Sequence, residues 1–228
     1  MDAEYYQKKY EQILEKIKTQ KFACLGDIVK IKKSIEPGSD AYSEEGLPFL
    51  RVADYNKFGI SKPQKYLSDS YCKENSKKLL ALKLKKGSIL FSKDGSVGNA
   101  FVLKENMNMV SSGAVLHLFI KNETKFLPEY LALVLNSELL KMQAERDAGG
   151  SIILHWRVSE IENAIVPIID FEKQQQISDL IEESFRLKKQ SEQLLELAKT
   201  AVEKAIEERE ETAMEFINLK LEKLGIKL

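Results

Sequence analysis

Cysteine is scarce: Cys24 and Cys72 are the only two in 228 residues, and no CxxC spacing relates them. That argues against a disulfide framework or a thiolate metal site and predicts two reduced structural thiols. Histidine is as rare, at His117 and His155, and neither belongs to an HExxH pair. The chain also lacks GxxxxGK[ST], GxSxG and a GxGxxG following a strand, so the common phosphate, acyl-transfer and dinucleotide signatures are missing. No apolar run approaches the length of a membrane span, and Met1 is followed by charged and polar residues, which predicts a cytoplasmic protein. An excess of one charge sign is missing too: 35 Lys+Arg balance 35 Asp+Glu.

The neutral total averages unlike parts. Residues 21–171 hold 21 basic and 18 acidic groups, a balance of +3; residues 172–228 hold 10 and 13, a balance of −3. Residues 51–104 alone hold 12 basic and 4 acidic groups, a balance of +8. A local basic surface can hold phosphates whatever the total, although a Lys-rich solvated surface would give the same count. Hydrophobic residues at 43% supply a core.

Along the chain, Tyr6, Tyr10, Ile13, Leu14 and Ile17 recur at helical spacing within 2–18. Residues 21–171 then alternate β-rich runs with Gly, Pro, Asn, Asp and Ser, which predicts strands at 28–32, 48–53, 88–92, 99–104 and 114–120. Helices are expected from Pro128 to Asn136 and from Ser137 to Arg146, the second ended by Gly149-Gly150. No Pro or Gly interrupts 172–222, and Asp170 can cap its start. Ile177, Ser184, Ser191, Ala198 and Ala205 lie seven apart, beside a second row of Leu180, Leu187, Leu194 and Ala201. Such a helix would run roughly 75 Å, more apolar stripe than one small domain can cover.

The segment most suggestive of chemistry is Lys85–Asn99, an apolar strand ending in a Ser/Lys/Asp/Asn loop held by Gly95 and Gly98. Lys93 suits a phosphate, while Asp94, Ser96 and Asn99 can meet base edges. An ordinary hairpin loop would use similar residues. His117 lies in an alternating apolar run and is expected to be a hydrogen-bonded strand residue, not a base. Asp94 with Glu123-Thr124-Lys125 could be imagined as a metal-dependent nuclease site, although the spacing is loose.

Several segments together resemble a known family. Leu25-Gly26-Asp27-Ile28, Pro48–Asn56, Gly87–Gly98, Leu127–Ser137, Gly149–Ile152 and Ile165–Ile168, in that order before a long helix, resemble the specificity (S) subunit of type I restriction–modification systems. The resemblance spans nearly the whole chain and corresponds to half of such a subunit, one target-recognition domain plus one long helix. Ser88 stands where Asp is expected, and Lys173-Gln174 where Glu-Gln usually begins the helix. A truncated origin is open, because Asp2–Tyr6 resembles segments found inside longer chains.

The expected architecture is α+β: an N-terminal helix (1–20), a β-rich recognition domain with inserted helices (21–171), and a long coiled-coil-like helical region (172–228). The resemblance implies a non-catalytic subunit that directs methyltransferase (M) and restriction (R) subunits to a split site on double-stranded DNA. S-adenosylmethionine, ATP and Mg would be held by those partners, with no cofactor or metal in this chain. Candidate DNA contacts are Arg51, Tyr55, Asn56, Lys57, Ser92, Lys93, Asp94, Ser96, Asn99, Ser151, His155 and Arg157. Candidate homodimer contacts are Ile177, Leu180, Ser184, Leu187, Ser191, Leu194, Ala198 and Ala201. A metal-dependent nuclease, or a coiled-coil interaction protein that does not bind DNA, are the alternatives.

Overall fold

A computed structural model describes residues 3–149 and 153–225. The elements are α1 (Lys8–Lys18), β1 (Phe22–Cys24), α2 (Leu25–Ile28), β2 (Val29–Lys32), β3 (Tyr42–Ser43), β4 (Leu47–Leu50), β5 (Tyr55–Asn56), β6 (Gly59–Ile60) and β7 (Lys65–Leu67). Then come α3 (Asp69–Glu74), α4 (Ser76–Leu82), β8 (Ile89–Ser92), β9 (Ala100–Val102), β10 (Val110–Ser111) and β11 (Val115–Ile120). The chain continues through α5 (Pro128–Leu135), α6 (Glu138–Asp147), α7 (Val158–Asn163), β12 (Ile165–Pro167), α8 (Phe171–Glu207) and α9 (Glu210–Lys223). Two units emerge, Met1–Ser178 and Asp179–Leu228.

The first unit is built on the antiparallel sheet β2-β11-β8-β9. Its central strands are buried on both faces, so they read as apolar runs without alternation. The period of two is still at work. Ile89 and Phe91 of β8, Leu116 and Leu118 of β11, and Ala100 and Val102 of β9 join a core with α5, α6 and α7. Leu90 and Val115 lie in a second cluster with Leu50, Tyr55, Leu84 and Leu103. A second sheet, β10-β4-β7-β3, carries a third cluster with Leu79 and Leu82 of α4.

His117 is 1% exposed and its Nε2 lies 2.8 Å from the Ser111 hydroxyl. Burial, with Lys32 adding to it, pushes its pKa down to about 4, so the imidazole is neutral. This is the hydrogen-bonded strand residue expected. Ser88 is also buried, and its hydroxyl donates to the Lys85 carbonyl at 2.6 Å, closing the turn before β8.

β1 pairs with β12, Phe22 opposite Pro167, so the stretches that open and close the β-rich part of the first unit lie side by side. Three side-chain amides tie helices to open backbone. Asn136 exchanges two hydrogen bonds with Ala100 of β9, at 3.0 and 2.8 Å. Gln143 does the same with Ile165 of β12, at 2.8 and 3.0 Å. Gln174, on the first turn of α8, accepts from Leu127 N–H at 3.1 Å and donates to the Lys125 and Ile169 carbonyls, both at 3.0 Å. Helix α6 ends on Ala148 in extended backbone, not on a left-handed glycine. Gly149 instead bridges to His155, and Gly150 lies outside the described residues.

The expected unbroken helix over 172–222 is two helices. Arg209 is extended, with φ −155° and ψ 155°, between α8 and α9. No Pro or Gly causes this. Glu207, Glu208, Glu210 and Glu211 would stand three and four apart on a continuous helix and repel one another. Breaking there places Glu210 and Glu211 in the first turn of α9, where the helix dipole favours acids. The second unit is therefore a helical hairpin. Leu197, Thr200, Phe216, Lys220 and Leu224 line a groove of about 340 Å³ between its arms, and Lys204 Nζ lies 5.6 Å from the Phe216 ring centre.

Candidate nucleic-acid interface

The β8–β9 connection is a tight loop closed from within. Ser92 and Asn99 face each other across its neck: Ser92 N–H donates to the Asn99 carbonyl at 3.0 Å and Asn99 N–H to the Ser92 hydroxyl at 2.9 Å. The Ser92 hydroxyl itself donates to the Ser96 carbonyl. Gly95 (φ 72°) and Gly98 (φ 88°) take the left-handed conformations that let the loop turn within so few residues. Ser92 is thus fully buried, while Ser96 is exposed and Asn99 half-buried.

A distant segment is laid along this loop. Gly95 N–H donates to the Leu154 carbonyl at 2.9 Å and Trp156 N–H to the Lys93 carbonyl at 2.8 Å. His155 Nδ1 lies 2.9 Å from Asp94 Oδ1, and Lys93 Nζ pairs with Asp94 Oδ2. Trp156 is buried beneath, its ring centre 5.9 Å from that of Phe91. Arg157 opens α7, exposed, with its guanidinium on Glu160 at 2.9 Å, a hydrogen bond that raises its pKa further and keeps it charged.

The β5–β6 hairpin joins the same neighbourhood from below. Tyr55 is buried and its hydroxyl donates to the Asn99 carbonyl at 3.3 Å; burial pushes its pKa up, so it stays neutral. The tip beyond it is exposed: Asn56 Oδ1 accepts from Phe58 N–H at 2.8 Å, and Lys57 Nζ lies 5.0 Å from the Phe58 ring centre. Arg51 caps the turn Val52–Asp54, its Nε 3.4 Å from the buried Asp54 carboxylate.

Loop 92–99 and His155–Arg157 are thus brought into contact across sixty residues, with the 55–60 hairpin against the loop's neck. Ser92 and Tyr55 shape the loop from inside. Lys57, Ser96, His155 and Arg157 stand exposed on it, with Asn56. Ser151 lies outside the described residues. Asp94 is engaged by His155 and Lys93, and no group of three His, Cys, Asp or Glu that could hold a metal occurs among the described residues. Phe58, Ile153 and Leu154, all exposed, are not among the candidate contacts, although the last two lie within the loop 150–157 that the sequence marks for the DNA face. The flanking Asn56-Lys57 and Gly59 mark a turn and could have pointed to Phe58; the aliphatic pair gave no such signal.

Of the heptad row, Ile177 packs on the first unit's core. Leu194 is half-buried and Ala201 buried, on the side of α8 that carries Leu197 and Lys204 toward α9. Leu180, Ser184, Leu187, Ser191 and Ala198 are exposed, and the exposed stripe continues through Leu195, Val202 and Ile206. Its steps repeat every eleven residues, as Leu180–Ser191–Val202 and Ser184–Leu195–Ile206. That spacing suits a nearly straight or slightly right-handed pairing, not a left-handed heptad coil.

The fold has solved counterparts. The S subunit of a type I restriction–modification system from M. genitalium is similar at TM-score 0.60 and 16% identity, covering 90% of this chain and 50% of that one. A chain from a structure of complex assembly and conformational transition in the type I R-M system matches at 0.53 and 16%, covering 93% and 50%. The type IIG restriction endonuclease BpuSI matches at 0.58 and 13%, covering 79% and 28%. At such identities the likeness is one of fold, and the chain spans about half the length of the first two. No curated protein sequence matches it. The family model of the type I restriction modification DNA specificity domain matches residues 17–197, and the chain belongs to that family.

Proposed function

We propose that this chain reads one half of a split DNA site for methyltransferase and restriction subunits and carries out no chemistry itself. The observation that carries this reading is the joined face of loop 92–99 and His155–Arg157 in a DNA specificity domain. It offers cations for phosphates at Lys93 and Arg157, and polar groups for base edges at Ser96 and Asn99. S-adenosylmethionine, ATP and Mg would be bound by the partner subunits, and the assembly would act in the cytoplasm. Among the described residues, no helix is long and apolar enough to cross a membrane.

A second copy is the proposed occupant of the exposed stripe on α8, paired antiparallel as the family resemblance implies. Small residues at Ser184, Ser191 and Ala198 would let the two helices approach closely, with Leu187 and Leu195 between them. A two-fold dimer would read inverted copies of one half-site, so the site would be a split palindrome.

The test is binding to duplexes selected from a random pool, measured across salt concentration. Lys93→Ala and Arg157→Ala should each weaken all sequences alike and lower the salt slope by up to about one. Asn99→Ala or Ser96→Ala should instead alter which duplexes are selected. Affinity and slope unchanged in both cation variants would place the DNA face elsewhere. Absence of any salt-dependent binding, even with the methyltransferase subunits present, would overturn the reading.

A further inference from the structure

Ile153 and Leu154 are adjacent aliphatic residues, yet they are 54% and 41% exposed. Single exposed apolar side chains are ordinary. This pair differs because the backbone from Leu154 to Trp156 is pinned. The Leu154 carbonyl accepts from Gly95 N–H, and the next two residues are bound to Asp94 and Lys93. The tip is therefore held in water, on the recognition loop, by the hydrogen bonds that build the face.

Its neighbours define what can meet it. Lys93, on the loop against which the pair is laid, and Arg157, three residues after Leu154, carry cations held on Asp94 and Glu160, and a phosphate can compete for them. Ser96, exposed on the same loop, can offer a hydroxyl to base edges. An aliphatic group can do neither. The apolar feature that a base pair presents in the major groove is the 5-methyl group of thymine.

We propose that the Ile153–Leu154 tip reads thymine in the half-site through its 5-methyl group. This rests on the DNA-recognition reading above. It adds a specificity determinant of apolar chemistry to a face otherwise made of charges and hydrogen-bonding groups.

The half-site is obtained by selecting duplexes with the chain from a random pool. Each thymine is then replaced in turn by deoxyuridine, which removes the methyl group and keeps the hydrogen-bonding edge. The unaltered protein should lose about fourfold in affinity at one position, the worth of one buried methyl group, and little elsewhere. A combined Ile153→Ala and Leu154→Ala variant should bind the thymine duplex more weakly and be indifferent to that replacement. Its salt slope should be unchanged, since the phosphate contacts remain. Fluorescence of Trp156, the sole tryptophan, checks that the variant is folded. A half-site without thymine, a uniform response to deoxyuridine, or discrimination that survives in the variant overturns this proposal and leaves DNA recognition standing. Failure to select any duplex overturns both.

Discussion

Gln174 stands where α8 leaves the recognition domain, and replacing it tests how that helix is seated. Its side chain is 1% exposed and satisfies three backbone groups: Leu127 N–H and the carbonyls of Lys125 and Ile169. Gln174→Leu keeps the bulk and removes every polar atom. A buried donor left without a partner costs about 1–3 kcal/mol, and two carbonyls deprived of one bond each add less apiece. A loss of about 3 kcal/mol follows. With a urea slope of about 2 kcal/mol/M, the midpoint should fall by about 1.5 M. Trp156, buried in the same unit, reports this transition by fluorescence.

Gln174→Glu separates hydrogen bonding from bulk. A carboxylate there can still accept from Leu127 N–H, but it sets negative charge against two carbonyl oxygens. A protonated carboxyl can donate to one of them. The folded state therefore favours the neutral form and raises this carboxyl above its unfolded pKa of about 4.3. Stability is then recovered below that value and lost as pH rises through the folded one. Relative to the unaltered protein, Gln174→Glu should be less stable at pH 7 than at pH 4. A Gln174→Leu variant within about 0.5 kcal/mol of the original, the range of ordinary surface changes, would refute the reasoning.

His117 makes the first unit acid-sensitive. Its folded pKa of about 4 lies below the ordinary 6.5, so the stability that it contributes is full above pH 6.5 and lost as pH falls toward 4. About 3 kcal/mol is at stake over that window, and a Ser111→Ala, His117→Leu double variant should lose this component of the slope in urea melts between pH 6.5 and 5. For assembly, Leu187→Asp should turn a dimer into a monomer by light scattering at micromolar concentration; an unaltered monomer, unchanged by the substitution, refutes pairing through this stripe.

The sheet was legible because its strands carry their own punctuation. Each of the five expected strands has a counterpart, as does the helix from Pro128, whose proline sits in the first turn. The pairing of β1 with β12 was not legible, because three-residue strands far apart in sequence leave no periodic trace. The same holds for Asn136, Gln143 and Gln174: an amide that bonds remote backbone looks, in sequence, like any polar residue. The helix break carries no Pro or Gly signal, because four glutamates around Arg209 favour it by charge. The exposed stripe is legible through Leu180, Ser184, Leu187, Ser191 and Ala198. The seven-residue row also passes Leu194 and Ala201 to α9, and the exposed row steps to Leu195 and Val202. In the candidate face, the loop residues were found from turn chemistry, but which of them are buried, Ser92 and Tyr55 above all, depends on hydrogen bonds across the neck.

The charge pattern of that face bears on selectivity. Lys93 pairs with Asp94, Arg157 with Glu160 and Arg51 with Asp54. A phosphate arriving at any of these cations competes with a carboxylate already in place. Contact with DNA releases counterions from the duplex, which drives sequence-independent binding. Where the cation comes from an internal pair, the abandoned carboxylate gathers a counterion of its own, and part of that driving force is cancelled. The sequence-independent term is therefore smaller than twelve basic residues between 51 and 104 would suggest. On the proposed reading, base-edge and apolar contacts would then supply a larger share of the total, and they would form only on the correct half-site. A basic segment within a neutral chain suits a protein that must leave most DNA unoccupied.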